Sequence, residues 1–275
     1  MSVHTTPPVP EPSTTARRRW PIPYGLAGLA AFALLAEAVP RLGIVPERHL
    51  PPFSRIMTAL AGELHAPGFW PAVRDTVTAW SAGLGLAATA GVLVGVLIGS
   101  VPVLRDLTAS TIEFLRPIPS VALIPLAVLL YGTRLPSSLL LIVYASFWPV
   151  LLQVLAGIRD IDPVAAATAR SYRLGPLARL RYLQWPTTLP YAVTGLRLSA
   201  SIALVLAVTA ELVIGAPGLG KRIATAQISG AVPQMYALIV VTGLLGLAVN
   251  LAARAAERRV LHWHQSVRAE PAGAR

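Results

Sequence analysis

The sequence predicts an all-α fold, a polytopic bundle of about six transmembrane helices, and two observations lead to that prediction. Of the 275 residues, 55% are hydrophobic and only 13% are charged, which leaves too few polar residues to coat a soluble globule of this size. The apolar residues also lie in long runs without a formal charge, at 82–100, 136–157 and 224–252. Such runs are long enough to cross a bilayer as helices. An ordinary cytosolic enzyme is therefore excluded.

Six spans are predicted from the hydropathy of the chain, and they cover residues 22–40, 79–101, 113–133, 135–157, 193–214 and 233–254. Residues 1–20 are polar and rich in Pro and Thr, which predicts a disordered cytoplasmic N-terminus. The first apolar stretch is longer than the h-region of a signal peptide and has no clear cleavage site, so we expect an uncleaved span. The membrane domain is then 21–260, followed by a cytoplasmic tail at 261–275.

The distribution of basic residues predicts the orientation in a bacterial cell membrane. With the N-terminus inside, 16 of the 23 lysines and arginines fall on cytoplasmic segments and 7 on external ones. The positive-inside rule then places both termini in the cytoplasm. The arginines are spread over short loops, which does not favour nucleic-acid binding. The absence of cysteine excludes disulfides and thiolate metal ligands.

The second span carries glycines at every fourth position, Gly91, Gly95 and Gly99. This spacing places them on one helix face, where another helix can approach closely. The partner helix could belong to the same subunit or to a second one.

The third span contains Pro117, Pro119 and Pro125. Each proline removes a backbone donor and disfavours a straight helix. Either the span is a kinked helix packed on its neighbours, or it has irregular backbone beside a watery cavity.

The longest polar segment between spans is 159–190, on the predicted cytoplasmic side. The Asp-Pro pair at 162–163 is typical of a helix start, and we expect this helix to run to about Leu174 and to break at the Gly-Pro pair 175–176. A second short basic helix is expected to end at the Trp-Pro pair 185–186. The segment could rest on anionic headgroups or dock on a cytoplasmic partner.

The run ATARSYRLGPLARLRYLQWPTTLPYAVTGLRLS at 167–199 resembles the cytoplasmic loop signature of ABC-importer permeases, in particular those of the nitrate, sulfonate and taurine importers. Further motifs of that group follow in the same order along 50–265. They are Arg116-Pro-Ile-Pro119 with Ile124-Pro-Leu126, Gly195-Leu-Arg197, Ala210-Glu211, Gly218-Leu-Gly220, Gly243-Leu-Leu-Gly246 and Glu257-Arg258-Arg259.

The resemblance implies a type I ABC-importer permease, a non-catalytic transport subunit. Two such subunits, identical or different, would form the pathway for a small solute such as a sulfonate, taurine or nitrate. An external solute-binding protein would deliver the solute, and an ATP-binding subunit would hold the ATP and magnesium. The chain itself would carry no cofactor and no metal.

The resemblance also implies site residues. The residues expected to couple to the ATPase are Ala167, Ala169, Arg170, Arg173, Gly175 and Pro186. Those expected along the translocation pathway are Arg116, Pro119, Pro125 and Glu211. The sequence departs from the family pattern at two positions, because the family's loop glutamate falls on Ala167 and its turn glycine on Arg173. We expect Gly175 to supply the turn instead.

Three other functions were weighed against this one. The stretch 215–222 resembles a phosphate-binding loop, but Arg222 stands where Ser or Thr must hold magnesium. An intramembrane hydrolase is disfavoured because no histidine falls inside a predicted span. A secondary carrier or channel remains the alternative, and Glu211 is its best candidate for an intramembrane charge. Glu211 could line the external mouth of a pathway or hydrogen-bond to a neighbouring helix.

Overall fold

The computed structural model describes residues 24–261, in which helices joined by turns and loops are the regular structure and no strand is present. The N-terminal segment 1–20 and nearly all of the tail 261–275 lie outside the described residues. The helices are α1 (Tyr24–Arg41), α2 (Phe53–His65), α3 (Phe69–Ser100), α4 (Pro102–Leu115), α5 (Ile124–Tyr131), α6 (Leu135–Arg159), α7 (Pro163–Ser171), α8 (Pro176–Arg179), α9 (Trp185–Ile214), α10 (Leu219–Ile228) and α11 (Val232–Val260).

The chain divides into two compact units, residues 1–53 and residues 54–275. In the first unit, α1 is an 18-residue helix. It corresponds to the first predicted span but is not among the helices of 24–261 that are long and apolar enough to cross a membrane. Glu37 and Arg41 near its end form an ion pair of 2.5 Å, and these charges shorten its apolar part.

In the described part of the second unit, four helices are long and apolar enough to span a membrane: α3, α6, the continuous helix Pro176–Ile214 and α11. Helices α4 and α5 with the short 3-10 turn Ser120–Leu123 form a fifth candidate, bent by 83°. The third predicted span is therefore a broken one, with Pro119 extended at the break (φ −64°, ψ 122°). α3 begins ten residues before the predicted span, because the charges of Arg74 and Asp75 mask its first turns in hydropathy.

The packing of α3 on α6 fixes the path of the chain. A Cβ added at Gly91 would lie 2.9 Å from Val150, and one at Gly95 would lie 2.7 Å from Val154. Gly83 and Gly99 face Ile142 and Ile158 in the same way. All four pairs are separated by 59 residues, so α3 and α6 run parallel.

Two consequences follow, one from the close contacts between α3 and α6 and one from their parallel direction. The glycine face serves helix packing within the subunit, which was the first of the two uses predicted for it. In addition, the chain between α3 and α6 must return from one end of the bundle to the other, and the bent α4–α5 segment makes this return.

The core of the second unit lies where α3, α5, α6 and α9 meet. Its buried residues are small or aliphatic: Ala79, Ala127, Leu141, Ile142, Ala203, Leu206, Ala207, Ala210 and Ile214. A second cluster holds α10 between α3 and α11 through Phe69, Leu219, Ile223 and Leu238. Large apolar side chains such as Leu93 and Leu247 are instead exposed on the outside of the helices, as expected for surfaces that face lipid.

Candidate functional site

The segment between α6 and α9 contains two short helices, as predicted. Helix α7 begins after Asp162, whose carboxylate accepts a hydrogen bond of 2.7 Å from the backbone N–H of Val164. Pro163 occupies the first turn, where its missing N–H costs nothing. The predicted helix start is therefore confirmed. The helix ends at Ser171, three residues earlier than expected.

The turn that ends α7 corrects the prediction for Gly175. Gly175 has φ −63° and ψ 164°, an extended conformation that any residue can adopt. Arg173 instead has φ +50°, the only positive φ of a non-glycine residue within 24–261. Its N–H donates to the carbonyl of Arg170, and the N–H of Leu174 donates to the carbonyl of Ala169 (2.9 and 3.0 Å).

This pair of hydrogen bonds is a Schellman motif, in which the C′ residue must be left-handed. Glycine is preferred there because a Cβ raises the energy of this conformation by about 1 kcal/mol or more. Arg173 therefore forms the turn itself, at a cost in conformational energy that a glycine would not have.

The second short helix does not end at the Trp-Pro pair, which corrects another prediction. Helix α8 continues through a π-helical stretch, Leu180–Gln184, into α9, so that Pro176–Ile214 is one helix of 39 residues. The prolines at 186 and 190 lack the N–H that an α-helix would bond to the preceding turn. The wider π turn accommodates a missing bond of this kind, and the helix continues past Pro186.

Most of the residues predicted to couple to an ATPase are exposed on the surface of the second unit. They are Ala167, Arg170, Arg173, Gly175 and Pro186, whereas Ala169 is buried at 6% exposure. Large apolar side chains stand among them, with Tyr172 at 78% and Leu177 at 81% exposure. The segment thus presents a surface that is both apolar and basic.

Arg116, one of the predicted pathway residues, lines a cavity of about 580 Å³. The cavity lies at the C-terminal end of α6, where the segment 159–190 begins. Arg105, Arg159 and Glu113 line the same cavity. The guanidinium of Arg105 donates to the carbonyl of Gly99. Pro119 and Pro125 are exposed and lie at the break between α4 and α5.

Glu211, the fourth predicted pathway residue, is completely buried near the end of α9. Its Oε2 accepts hydrogen bonds from the hydroxyl of Thr76 (2.8 Å) and from the backbone N–H of Gly220 (2.9 Å). Thr76 in turn accepts a hydrogen bond of 2.9 Å from the N–H of Leu219. Of the two roles left open by the sequence, the geometry supports hydrogen bonding to neighbouring elements.

Thr76 is a hydrogen-bond partner of Glu211 that the sequence does not predict, since it lies 135 residues from Glu211 in the chain. The local sequence of α3 does not indicate a contact between Thr76 and α9. The same is true of the ion pair between Arg222 and Glu63 (2.6 Å), which joins α10 to α2. Within 24–261 no group of histidine, aspartate and glutamate residues is arranged to hold a metal ion.

Comparison with known proteins agrees with this architecture. The chain is 29% identical to the taurine transport system permease protein of Escherichia coli over 258 residues, 90% of this chain and 94% of the relative. It is 28% identical to a putative aliphatic sulfonates transport permease protein of Bacillus subtilis, over 91% of both chains. Its fold resembles an inward-facing structure of the MetNI methionine ABC transporter, with a TM-score of 0.61 and 18% identity over 69% of this chain and 94% of that one.

The fold is accordingly that of the type I ABC-importer permeases, as the sequence predicted. The family model for the inner membrane component of binding-protein-dependent transport systems matches residues 89–262. This range contains α4 to α9, the segment with the two short helices and the whole of α11. The chain therefore belongs to the family of binding-protein-dependent transport system inner membrane components, the multi-pass permeases of bacterial ABC importers.

Proposed function

We propose that this permease forms, as a dimer, the membrane pathway for a small sulfonate such as taurine, and that a separate ATPase drives it through the segment 159–190. One observation carries the proposal: between α6 and α9 stand the short helix α7, which Asp162 caps, and α8, which continues into α9, and both have exposed apolar or basic side chains. A surface of this kind is suited to a protein partner. ATP and magnesium would be held by that partner, so this chain would have no catalytic role.

The backbone of the segment supports a role in transmitting force. Its second helix is continuous with α9, which is the helix that packs most closely on α6 in the core. A movement of α8 would therefore be passed to the middle of the bundle without an intervening flexible loop. Both termini and this segment would lie in the cytoplasm, in agreement with the distribution of arginines.

The substrate class is proposed from the two relatives that cover nine-tenths of the chain, whose names refer to taurine and aliphatic sulfonates. Nitrate, which the sequence resemblance also suggests, is to be tested beside them. The binding protein that delivers the solute would contribute to specificity. Whether the second permease copy is identical or different would follow from the composition of the purified complex.

The first experiment is an affinity purification of the tagged permease in mild detergent, with mass spectrometry of the proteins recovered. We expect an ATP-binding subunit in stoichiometric amount, and uptake of radiolabelled taurine by vesicles that contain the complex and the binding protein. Recovery of the permease alone after cross-linking would overturn the proposed coupling and would favour a secondary carrier. An ATPase recovered without uptake of any sulfonate would overturn only the proposed substrate.

A further inference from the structure

A small cavity lies at the end of the bundle opposite the segment 159–190. Its volume is about 260 Å³, and its walls come from α3, the N-terminal end of α6 and the turn at 216–217. α6 runs from this cavity to the other end of the bundle, where it leads into α7. The cavity is therefore on the side from which an imported solute would enter. Its volume is below the roughly 300–1,000 Å³ typical of sites for drug-sized ligands, so it suits only a small molecule.

The wall formed by α6 contains a buried polar group without a partner. Ser138 is 1% exposed, and its hydroxyl makes no hydrogen bond within the described part of the chain. The preceding Ser137 is also buried, but its hydroxyl donates to the carbonyl of Ala127 at 3.1 Å. A buried hydroxyl without a partner is costly and rare. Since Ser138 lines the cavity, a ligand there could provide the missing partner.

The same wall is electropositive. Arg134 is the N-cap residue of α6 and lines the cavity; its side chain is exposed and has no ion pair within 24–261. The N-terminal end of this 25-residue helix adds a partial positive charge. A guanidinium, a free hydroxyl and a helix N-terminus together are suited to an oxyanion.

The part of the wall that α3 forms carries a negative charge. Asp75 lines the cavity, and its nearest cation, Arg74, is 4.0 Å away with 81% of its side chain exposed. An exposed pair at this distance neutralises the carboxylate only weakly. The hydroxyl of Thr78 is already bonded to the carbonyl of Arg74 at 2.7 Å. The carboxylate of Asp75 is thus the main polar group that this wall offers to a ligand.

We propose that this cavity is an entry site for a compact zwitterion, whose oxyanion binds Arg134, Ser138 and the N-terminal end of α6 and whose ammonium group faces Asp75. The proposal rests on the proposed function, because it assumes that solutes pass through this permease. It narrows the substrate class from sulfonates in general to an aminosulfonate. It also places the recognition of the solute partly in the permease.

The test is equilibrium binding to the full-length permease in lipid nanodiscs, with two probes. Taurine carries both charged groups, whereas isethionate has the same sulfonate and a hydroxyl in place of the ammonium. We expect Arg134→Gln to weaken the binding of both probes about tenfold or more, since a charge-assisted hydrogen bond is lost. Ser138→Ala should weaken the binding of both probes several-fold. Asp75→Asn should weaken the binding of taurine but not that of isethionate, whose sulfonate is no longer repelled by the carboxylate.

Lys221→Gln is the matched control, because Lys221 is an exposed cation of α10 that does not line this cavity. It should leave the binding of both probes unchanged. The side chain of Arg134 makes no capping hydrogen bond, so Arg134→Gln should fold normally. Arg134→Lys, which keeps the charge but loses the planar fork, provides a second variant with an expected intermediate affinity.

Three results would overturn the entry site. They are no binding of taurine by the permease, equal affinities for all variants, or the same loss of affinity with Lys221→Gln as with Arg134→Gln. Different results would overturn the proposed function, namely that no ATPase is recovered or that the complex takes up no sulfonate. If the complex imports taurine and Arg134→Gln imports it equally well, the entry site is wrong and the proposed function stands.

Discussion

Arg173 and Gly230 occupy the same position of the same helix-ending motif. After α7, the N–H of Leu174 donates to the carbonyl of Ala169, five residues back; after α10, the N–H of Ala231 donates to the carbonyl of Ala226. In both motifs the C′ residue is left-handed, with φ +50° at Arg173 and φ +70° at Gly230. Arg173 therefore adopts the left-handed conformation at a cost in conformational energy, whereas Gly230, at the end of α10, adopts it without that cost.

This difference predicts that Arg173→Gly stabilises the permease. Glycine adopts the left-handed conformation without the Cβ penalty of about 1 kcal/mol, although part of this gain is lost to the greater entropy of the unfolded chain. We expect a small rise in the midpoint of thermal unfolding in detergent. Gly230→Ala, which introduces a Cβ at the equivalent position, should lower the midpoint. A fall of the midpoint with Arg173→Gly would show that the arginine side chain contributes more than its backbone costs.

The exposed guanidinium of Arg173 is expected to take part in binding the ATPase. Arg173→Glu keeps a long side chain but reverses its charge, and should reduce both the association of the ATPase and transport. Arg173→Gly removes the guanidinium without introducing a negative charge, and glycine readily adopts the left-handed turn.

The measurement is the amount of ATPase that co-purifies with each variant, compared at equal amounts of monodisperse permease. Loss of the ATPase with both variants would assign the role to the guanidinium. Unchanged uptake and association with Arg173→Glu would contradict a docking role for this residue.

The glycine face of α3 predicts a graded loss of stability. In Gly95→Ala the new Cβ would lie 2.7 Å from Val154, and such overpacking typically costs about 1–3 kcal/mol. Gly85→Ala is the control, because no atom lies within 4 Å of its added Cβ, and alanine is the better helix former there.

A compensating substitution tests whether this contact is the cause. Val154→Ala removes the atoms that the new methyl group would meet, so Gly95→Ala with Val154→Ala should be more stable than the sum of the two single effects predicts. Thermal unfolding of the four variants in the same detergent measures the coupling. Strictly additive effects of the two substitutions on stability would mean that the glycine face packs against something other than α6.

The sequence predicts some of these features better than others, for physical reasons. The glycine spacing of α3 and the Asp-Pro start of α7 are local patterns with one dominant structural meaning, and both were found as predicted. The sequence does not predict the left-handed turn at Arg173, because arginine rarely adopts this conformation and Gly175 is the more usual residue type for it. Hydrogen bonds such as that between Thr76 and Glu211 depend on helices that meet only in the folded bundle. The cavity beside Ser138 likewise depends on elements that meet only in the folded bundle.

The buried carboxylate of Glu211 predicts the last effect, at the turn between α9 and α10. Gly215 and Gly218 both have positive φ, +81° and +150°, but only Gly218 lies against Glu211. A Cβ at position 218 would overlap the carboxyl group, whereas one at position 215 would meet nothing within 4 Å. Gly218→Ala should therefore destabilise the turn more than Gly215→Ala. The backbone adds to this difference, because Gly215 is left-handed (ψ 18°), whereas Gly218 (ψ −174°) has a conformation that is essentially restricted to glycine.

Thr76 tests the same network from α3. Thr76→Val keeps the shape but leaves Leu219 N–H and one lone pair of Glu211 unsatisfied, which typically costs about 1–3 kcal/mol for each buried group. Thr76→Ser keeps the hydroxyl and is the control. Amide hydrogen exchange at 219–220 should become faster in Thr76→Val and in Gly218→Ala and stay slow in Thr76→Ser. Equal protection in all of these variants would mean that packing of Leu219, which is completely buried, holds the turn without the carboxylate.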